Sequence, residues 1–264
     1  MAIENISFSA YRAREAFSYS TAKAILDSPN KWALGVTKKR TEALDFGSLA
    51  HDMILSPHEL SAKYLFVENP KLDMRIQSNK DLVADAEARG LIVVAKNLAD
   101  NVRECIEAHR GLFNQYLNDL QGSCEVSYFA QIDGVDCKCR ADFLSNDENR
   151  IIDLKFVKDA TPQGFSKACA DYGYHIQNAL YCDLIGASEF LFIAIEKEAP
   201  FMCGIYKLSP EAIDLGRDLY KKALDLYVNK RYYANNRYVM RDCIFGTCDE
   251  IQTITLPNYA FYKN

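Results

Sequence analysis

Arg150-Ile151-Ile152-Asp153-Leu154-Lys155-Phe156-Val157 is the stretch on which the fold turns. Apolar and β-branched side chains fill it, and the turn formers Asn146-Asp147-Glu148-Asn149 lead into it, which predicts a strand. Alternate residues of a strand share a face. Ile152, Leu154 and Phe156 are therefore expected in the core, with Asp153 and Lys155 together on the other face. The segment before the turn repeats the pattern: Cys139, Ala141 and Phe143 inward, Lys138, Arg140 and Asp142 outward. A hairpin makes the two strands neighbours, so Asp142 can approach Asp153.

Two carboxylates and a lysine then converge on one sheet face. The carboxylates repel, and one would be driven toward protonation unless something compensates. A bound Mg²⁺ removes the conflict, because hard oxygen ligands suit it. Such an ion polarises a phosphoryl oxygen and acidifies a bound water, and a lysine ammonium can orient that water or stabilise developing charge. These residue types match phosphodiester hydrolysis. The same residues also fit a plain surface hairpin, whose Asp–Lys pair would contribute less than about 1 kcal/mol.

Around this hairpin the chain of 264 residues reads as one domain: a mainly helical part (1–121), a sheet core with flanking helices (122–230) and a C-terminal tail (231–264). Ser20 is a candidate N-cap for residues 21–27, and Pro29 suits the first turn of a second helix. Helices are expected over 44–55, 79–89 (capped by Ser78) and 96–110. Strands are expected over 125–131, 136–144, 150–157, 189–196 and 202–208. Thr161-Pro162 opens a helix, residues 172–186 form another ending at Gly186, and Ser209-Pro210 starts a long one to about residue 228. The fold class is α/β, a mixed central sheet flanked by helices, with a helical N-terminal elaboration.

Composition excludes several classes. At 49% hydrophobic and 25% charged the chain can bury a sizeable core. No run of apolar residues is long enough to span a bilayer, and the N-terminus lacks the pattern of a secretory signal, so a cytoplasmic protein is expected. Nine cysteines without metal-ligand spacing read as reduced thiols. The net charge of −5 counts against nucleic-acid binding taken alone, but basic residues cluster at Lys31, Lys38, Lys39 and Arg40, and again from Lys221 to Arg241.

Asp142…Asp153-Leu154-Lys155 resembles the signature of the PD-(D/E)XK nuclease superfamily. Gln177-Asn178-Ala179-Leu180-Tyr181 is similar to the Gln-x-x-x-Tyr motif of its RecB-like branch, with Gln177 and Tyr181 on one helical face. Phe17-Ser18-Tyr19-Ser20, Phe46-Gly47-Ser48-Leu49-Ala50-His51, Cys139-Arg140-Ala141-Asp142 and Phe192-Ile193-Ala194-Ile195-Glu196-Lys197-Glu198-Ala199-Pro200 extend the resemblance to RecE-type exonucleases of the exonuclease VIII kind. The resemblance implies the PD-(D/E)XK core fold and a set of roles. His51, Asp142 and Asp153 would hold Mg²⁺ (Mn²⁺ substituting) together with the Leu154 backbone carbonyl, and Lys155 would position the attacking water. Glu125 would be a secondary metal-site or DNA-end residue, with a surface glutamate as the alternative. Gln177 and Tyr181 would contact DNA, core packing being the alternative for Tyr181. Lys138 and Arg140 would meet phosphates, or stand as cleft-rim charges that touch no DNA. It further implies 5′→3′ digestion of linear double-stranded DNA by a ring-shaped tetramer, partnered by a RecT-like single-strand annealing protein. Another RecB-like nuclease, an endonuclease, or a non-catalytic DNA-binding module of the same fold are the alternatives.

Overall fold

The computed structural model describes residues 2–4, 6–33, 35, 42–69, 71–118 and 120–229. The basic residues Lys38, Lys39 and Arg40, those from Lys230 onward, and the expected tail with Cys243 and Cys248 lie outside the described residues.

A six-stranded mixed sheet organises the molecule. Its strands are β1 (Ala2–Glu4), β4 (Gly122–Ile132), β5 (Val135–Ser145), β6 (Arg150–Val157), β7 (Glu189–Glu196) and β8 (Cys203–Tyr206), side by side in that order. Two further strands, β2 (Tyr64–Val67) and β3 (Ile92–Ala95), form a separate parallel pair. In the large sheet only β6 and β7 run parallel. A parallel neighbour needs a crossover, and here it is made of α9 (Pro162–Tyr172) and α10 (Tyr174–Ile185). Thr161 caps α9 through its side chain, Pro162 occupies the first turn, and Gly173 at φ +74° ends α9 and begins α10. Only a residue tolerant of the left-handed region can make that corner without strain.

Both faces of the sheet are covered, so β7 is apolar between its terminal glutamates and β6 is buried from Ile151 to Leu154. One layer contains α2 (Tyr19–Asp27), α9, α10 and α11 (Pro210–Val228), packed on Ile151, Val157, Phe190 and Phe192. The other contains α4 (Glu42–Leu55), α7 (Lys96–Ala108) and α8 (Arg110–Phe113), packed on Phe143, Ile152, Leu154 and Ile193. Short helices α1 (Phe8–Ala13), α3 (Pro29–Ala33) and α5 (Leu60–Lys63), the longer α6 (Gln77–Ala88), a 3-10 turn (Pro57–Glu59) and a π-helical turn (Asn114–Asn118) complete the described elements. α11 lies so close to the start of α10 that a Cβ at Gly216 would stand 2.1 Å from the His175 carbonyl oxygen.

Several expectations are corrected here. The cap of α2 is Ser18, whose hydroxyl accepts from the Thr21 amide, and Ser20 lies inside the helix. Ser78 likewise sits within α6. The face carrying Asp153 and Lys155 does not open to solvent: α10 covers it, and Asp153 is only 1% exposed. Inward and outward sets also exchange along β5. Cys139 and Ala141 pack into the first layer, but Phe143, of the same parity, packs into the second. Cys124 and Val126 in β4 divide in the same way. The hairpin rolls over at Glu125 and Asp142, where Glu125 has φ +56°, unusual for a residue with a Cβ. This roll creates the site.

Candidate active site

In a β-strand the N–H and C=O of one residue point to the same neighbour, and every buried backbone pair must find partners. Ile151 and Ile152 of β6 stand opposite Leu144 and Phe143 of β5, and of the two it is Ile152 whose backbone pair faces that edge. One step further β5 has rolled away, and the next outward-facing pair on that edge belongs to Leu154. Side chains take over. The Leu154 amide donates to Asp142 Oδ2 at 2.8 Å, and the Leu154 carbonyl oxygen lies 2.9 Å from His51 Nε2. His51 comes from α4 in the second layer, its ring edge-on to Phe156, while its Nδ1 stands 3.6 Å from Asp142 Oδ2. A Cβ at Gly47, one turn earlier, would just touch Phe156 Cβ at 4.0 Å, so α4 lies close along β6.

His51, Glu125 and Asp142 each offer one ligand atom, and these atoms lie within 4.8 Å of one another. Burial pushes the Asp142 carboxyl up to about 7; His51 and Lys155 pull it back down, whereas Asp153 and Glu125 push it further up. Mutually repelling acids, an imidazole and a nearby backbone carbonyl make a donor set that fits a divalent cation. Such a cation, when bound, supplies Lewis acidity at a phosphoryl oxygen and at water. Glu125 is oriented by Arg140, which donates from Nε to its carboxylate and from Nη1 to Ser127 Oγ (2.7 Å) and the Ile6 carbonyl (3.1 Å).

From the other layer α10 brings Gln177, whose side-chain amide donates to Asp153 Oδ1. Asp153 Oδ2 contacts the Lys155 ammonium. That ammonium also lies 4.7 Å from the Tyr174 ring centroid and 5.9 Å from that of Phe192. Asp153 thus holds Lys155 and Gln177, while the cluster of possible ligand atoms is formed by His51, Glu125 and Asp142. The buried Gln177 Oε1 has no hydrogen-bond partner among the described residues. Tyr181, one turn further, is buried against Phe190.

Lys138 and Arg140 are put to internal use. Lys138 is 7% exposed and donates to the carbonyls of Tyr11 (2.8 Å) and Arg14 (2.5 Å). The resemblance implied a phosphate contact or a cleft-rim charge, but the N-terminal segment folds over Lys138, and burial lowers its pKa. Arg140 is similarly enclosed and serves Glu125. What the sequence had no signal for is the N-terminal clamp itself, since residues 6–14 carry no usable period.

The mixed sheet flanked by helices is a PD-(D/E)XK-like core. Residues 7–235 match the family described as a PDDEXK-like domain of unknown function (DUF3799), and the chain belongs to that family. A crystal structure of a "putative exonuclease" from Eubacterium rectale superposes with a TM-score of 0.61 at 14% identity, over 100% of this chain and 99% of that one, a likeness of fold. A crystal structure of SSO0001 aligns at 12% identity over 72% of this chain and 87% of the other, with a TM-score of 0.32. No curated protein matches the sequence.

Proposed function

We propose that the chain is a metal-dependent exodeoxyribonuclease that digests linear double-stranded DNA from the 5′ end. One observation carries the hydrolytic part: where β5 leaves β6, His51, Glu125 and Asp142 gather their ligand atoms around the backbone of Leu154, within reach of Lys155. In this reading Mg²⁺ (or Mn²⁺) binds to His51, Asp142, the Leu154 carbonyl and Glu125, with Asp153 completing the acidic surroundings. Asp153 holds the Lys155 ammonium toward the attacking water, and Gln177 fixes the Asp153 rotamer from behind. Tyr181 supports α10 beneath the site and contributes through Gln177.

Polarity and partners rest on the resemblance to RecE-type exonucleases: a ring tetramer that leaves 3′ single strands for a RecT-like annealing protein. Such a ring would also reconcile a net charge of −5 with a DNA substrate, because a channel can be locally basic while the outside stays acidic. The test is incubation with Mg²⁺ of linear duplex labelled at the 5′ or the 3′ end, beside closed circular DNA. Early release of 5′ label with circles intact is expected. Early 3′ release would reverse the polarity, and cut circles would make the protein an endonuclease.

A further inference from the structure

A column of aromatic rings leads from the site to the surface. Tyr174 stacks on Phe192 at 5.9 Å and 29°, and Tyr172 stacks on Tyr174 at 5.7 Å and 26°. The inner end of the column lies against the Lys155 ammonium, 4.7 Å from the Tyr174 centroid. The outer end is open: Tyr172 is 54% exposed, the largest exposure of any described aromatic ring that contacts this layer. Two donors from α2 fix its backbone. Tyr19 Oη and Lys23 Nζ both donate to the Tyr172 carbonyl, at 2.5 and 2.8 Å, at the end of α9 where an α-helix leaves carbonyls unsatisfied. The Lys23 ammonium also lies 5.1 Å from the Tyr172 ring centroid. Tyr19 belongs to the Phe17-Ser18-Tyr19-Ser20 motif, in which Ser18 caps α2 and Phe17 is buried in the core.

A rigidly held, solvent-facing aromatic beside a cation is the surface on which bases of single-stranded nucleic acid stack. We propose that Tyr172 is a stacking platform for an unpaired base next to the scissile phosphodiester, with Tyr174 as its backing and Lys23 at its edge. Its ligand class is a frayed or single-stranded DNA end. The proposal deepens the nuclease reading and rests on it. The platform separates a terminal base from its complement and so presents one strand to Lys155 and the Asp142 cluster; it touches no reacting atom.

The experiment uses the full chain in EDTA with a short single-stranded oligonucleotide carrying 2-aminopurine at successive positions from each end. Stacking on an aromatic ring quenches that fluorophore. The wild-type protein and Tyr172→Phe quench it near one end, whereas Tyr172→Ala loses the quench and about tenfold in affinity. Tyr172→Leu still covers Tyr174 with apolar surface; it melts at the wild-type temperature and yet behaves like Tyr172→Ala. The proposal is overturned if the leucine and alanine variants quench and bind as the wild type does, or if the wild type quenches at no position. Cleavage is not needed for this readout. A chain that quenches through Tyr172 without hydrolysing DNA refutes the hydrolytic reading alone, and one that hydrolyses DNA but ignores Tyr172→Leu refutes the platform alone.

Discussion

The two ends of β6 obey opposite rules. Around Ile151 and Ile152 the strand has β5 on one edge and β7 on the other, and the charge of the adjacent Arg150 joins an ordinary surface network in which Glu189 takes both Arg150 and Lys207. At Leu154 only β7 still pairs, and the other edge is satisfied by Asp142 and His51. Opposite charges at the first end neutralise one another in water. At the second end acids gather under burial, which with their mutual repulsion raises Asp142. The difference teaches that the site is an interruption in a hydrogen-bond ladder, made by the roll of the hairpin at Glu125 and Asp142, rather than a decoration on a finished sheet.

Breaking the interrupted end should have the largest effects. Asp142→Asn and Lys155→Ala are each expected to lower cleavage by at least about a hundredfold, the scale of removing one preorganised electrostatic group. Initial rates on labelled linear DNA measure this, with circular dichroism to confirm folding. Asp153→Ala should also cost about 3 kcal/mol in urea unfolding, because it leaves the Lys155 ammonium and the Gln177 amide buried without their shared partner. The 1% exposure of Asp153 is the reason that its removal should cost stability as well as cleavage.

The pH dependence sharpens the comparison. Asp142 is raised from 3.8 to about 7 in the folded chain. A folded pKa above the unfolded one means that this group's stabilising contribution is complete below about pH 4. It is lost as pH rises through about 7. Without metal, the melting temperature should therefore fall across that window, and Mn²⁺ should restore it most at the upper end. A melting temperature in EDTA that is flat from pH 5 to 8, or that rises, would contradict an Asp142 carboxyl raised by burial. The smallest effect belongs to the paired end: Lys207→Ala should change stability by less than about 1 kcal/mol and leave cleavage rates alone.

Much of this architecture was legible because its signals are local. β6 and β7 could be read from apolar runs between turns, α9 from Thr161-Pro162, and α11 from Ser209-Pro210. Asp142, Asp153 and Lys155 were legible from period two and one hairpin. What stayed hidden depends on partners far along the chain. β2 and β3 are four residues each and become strands only by pairing Tyr64 with Ile92. β1 is three residues and exists only against β4. Lys138 and Arg140 occupy positions that alternation assigns to the outside, but the carbonyls of Ile6, Tyr11 and Arg14 arrive over them from a segment without a pattern. The parity switch at Glu125 and Asp142 has no sequence signature either, since both residues are compatible with an uninterrupted strand. The resemblance to a nuclease family supplied His51; composition and spacing alone left it an ordinary helix histidine.

The central claim is that the gap between β5 and β6 is a cation-dependent hydrolytic site. The most direct measurement is the release of acid-soluble nucleotides from linear duplex DNA by the wild-type chain and Asp142→Asn, each with Mg²⁺, with Mn²⁺ and with EDTA. Release by the wild type in both metals, none in EDTA, and a loss of at least about a hundredfold in Asp142→Asn is the predicted result. Wild-type activity that persists in EDTA, equal activity in Asp142→Asn, or no release in either metal would contradict it.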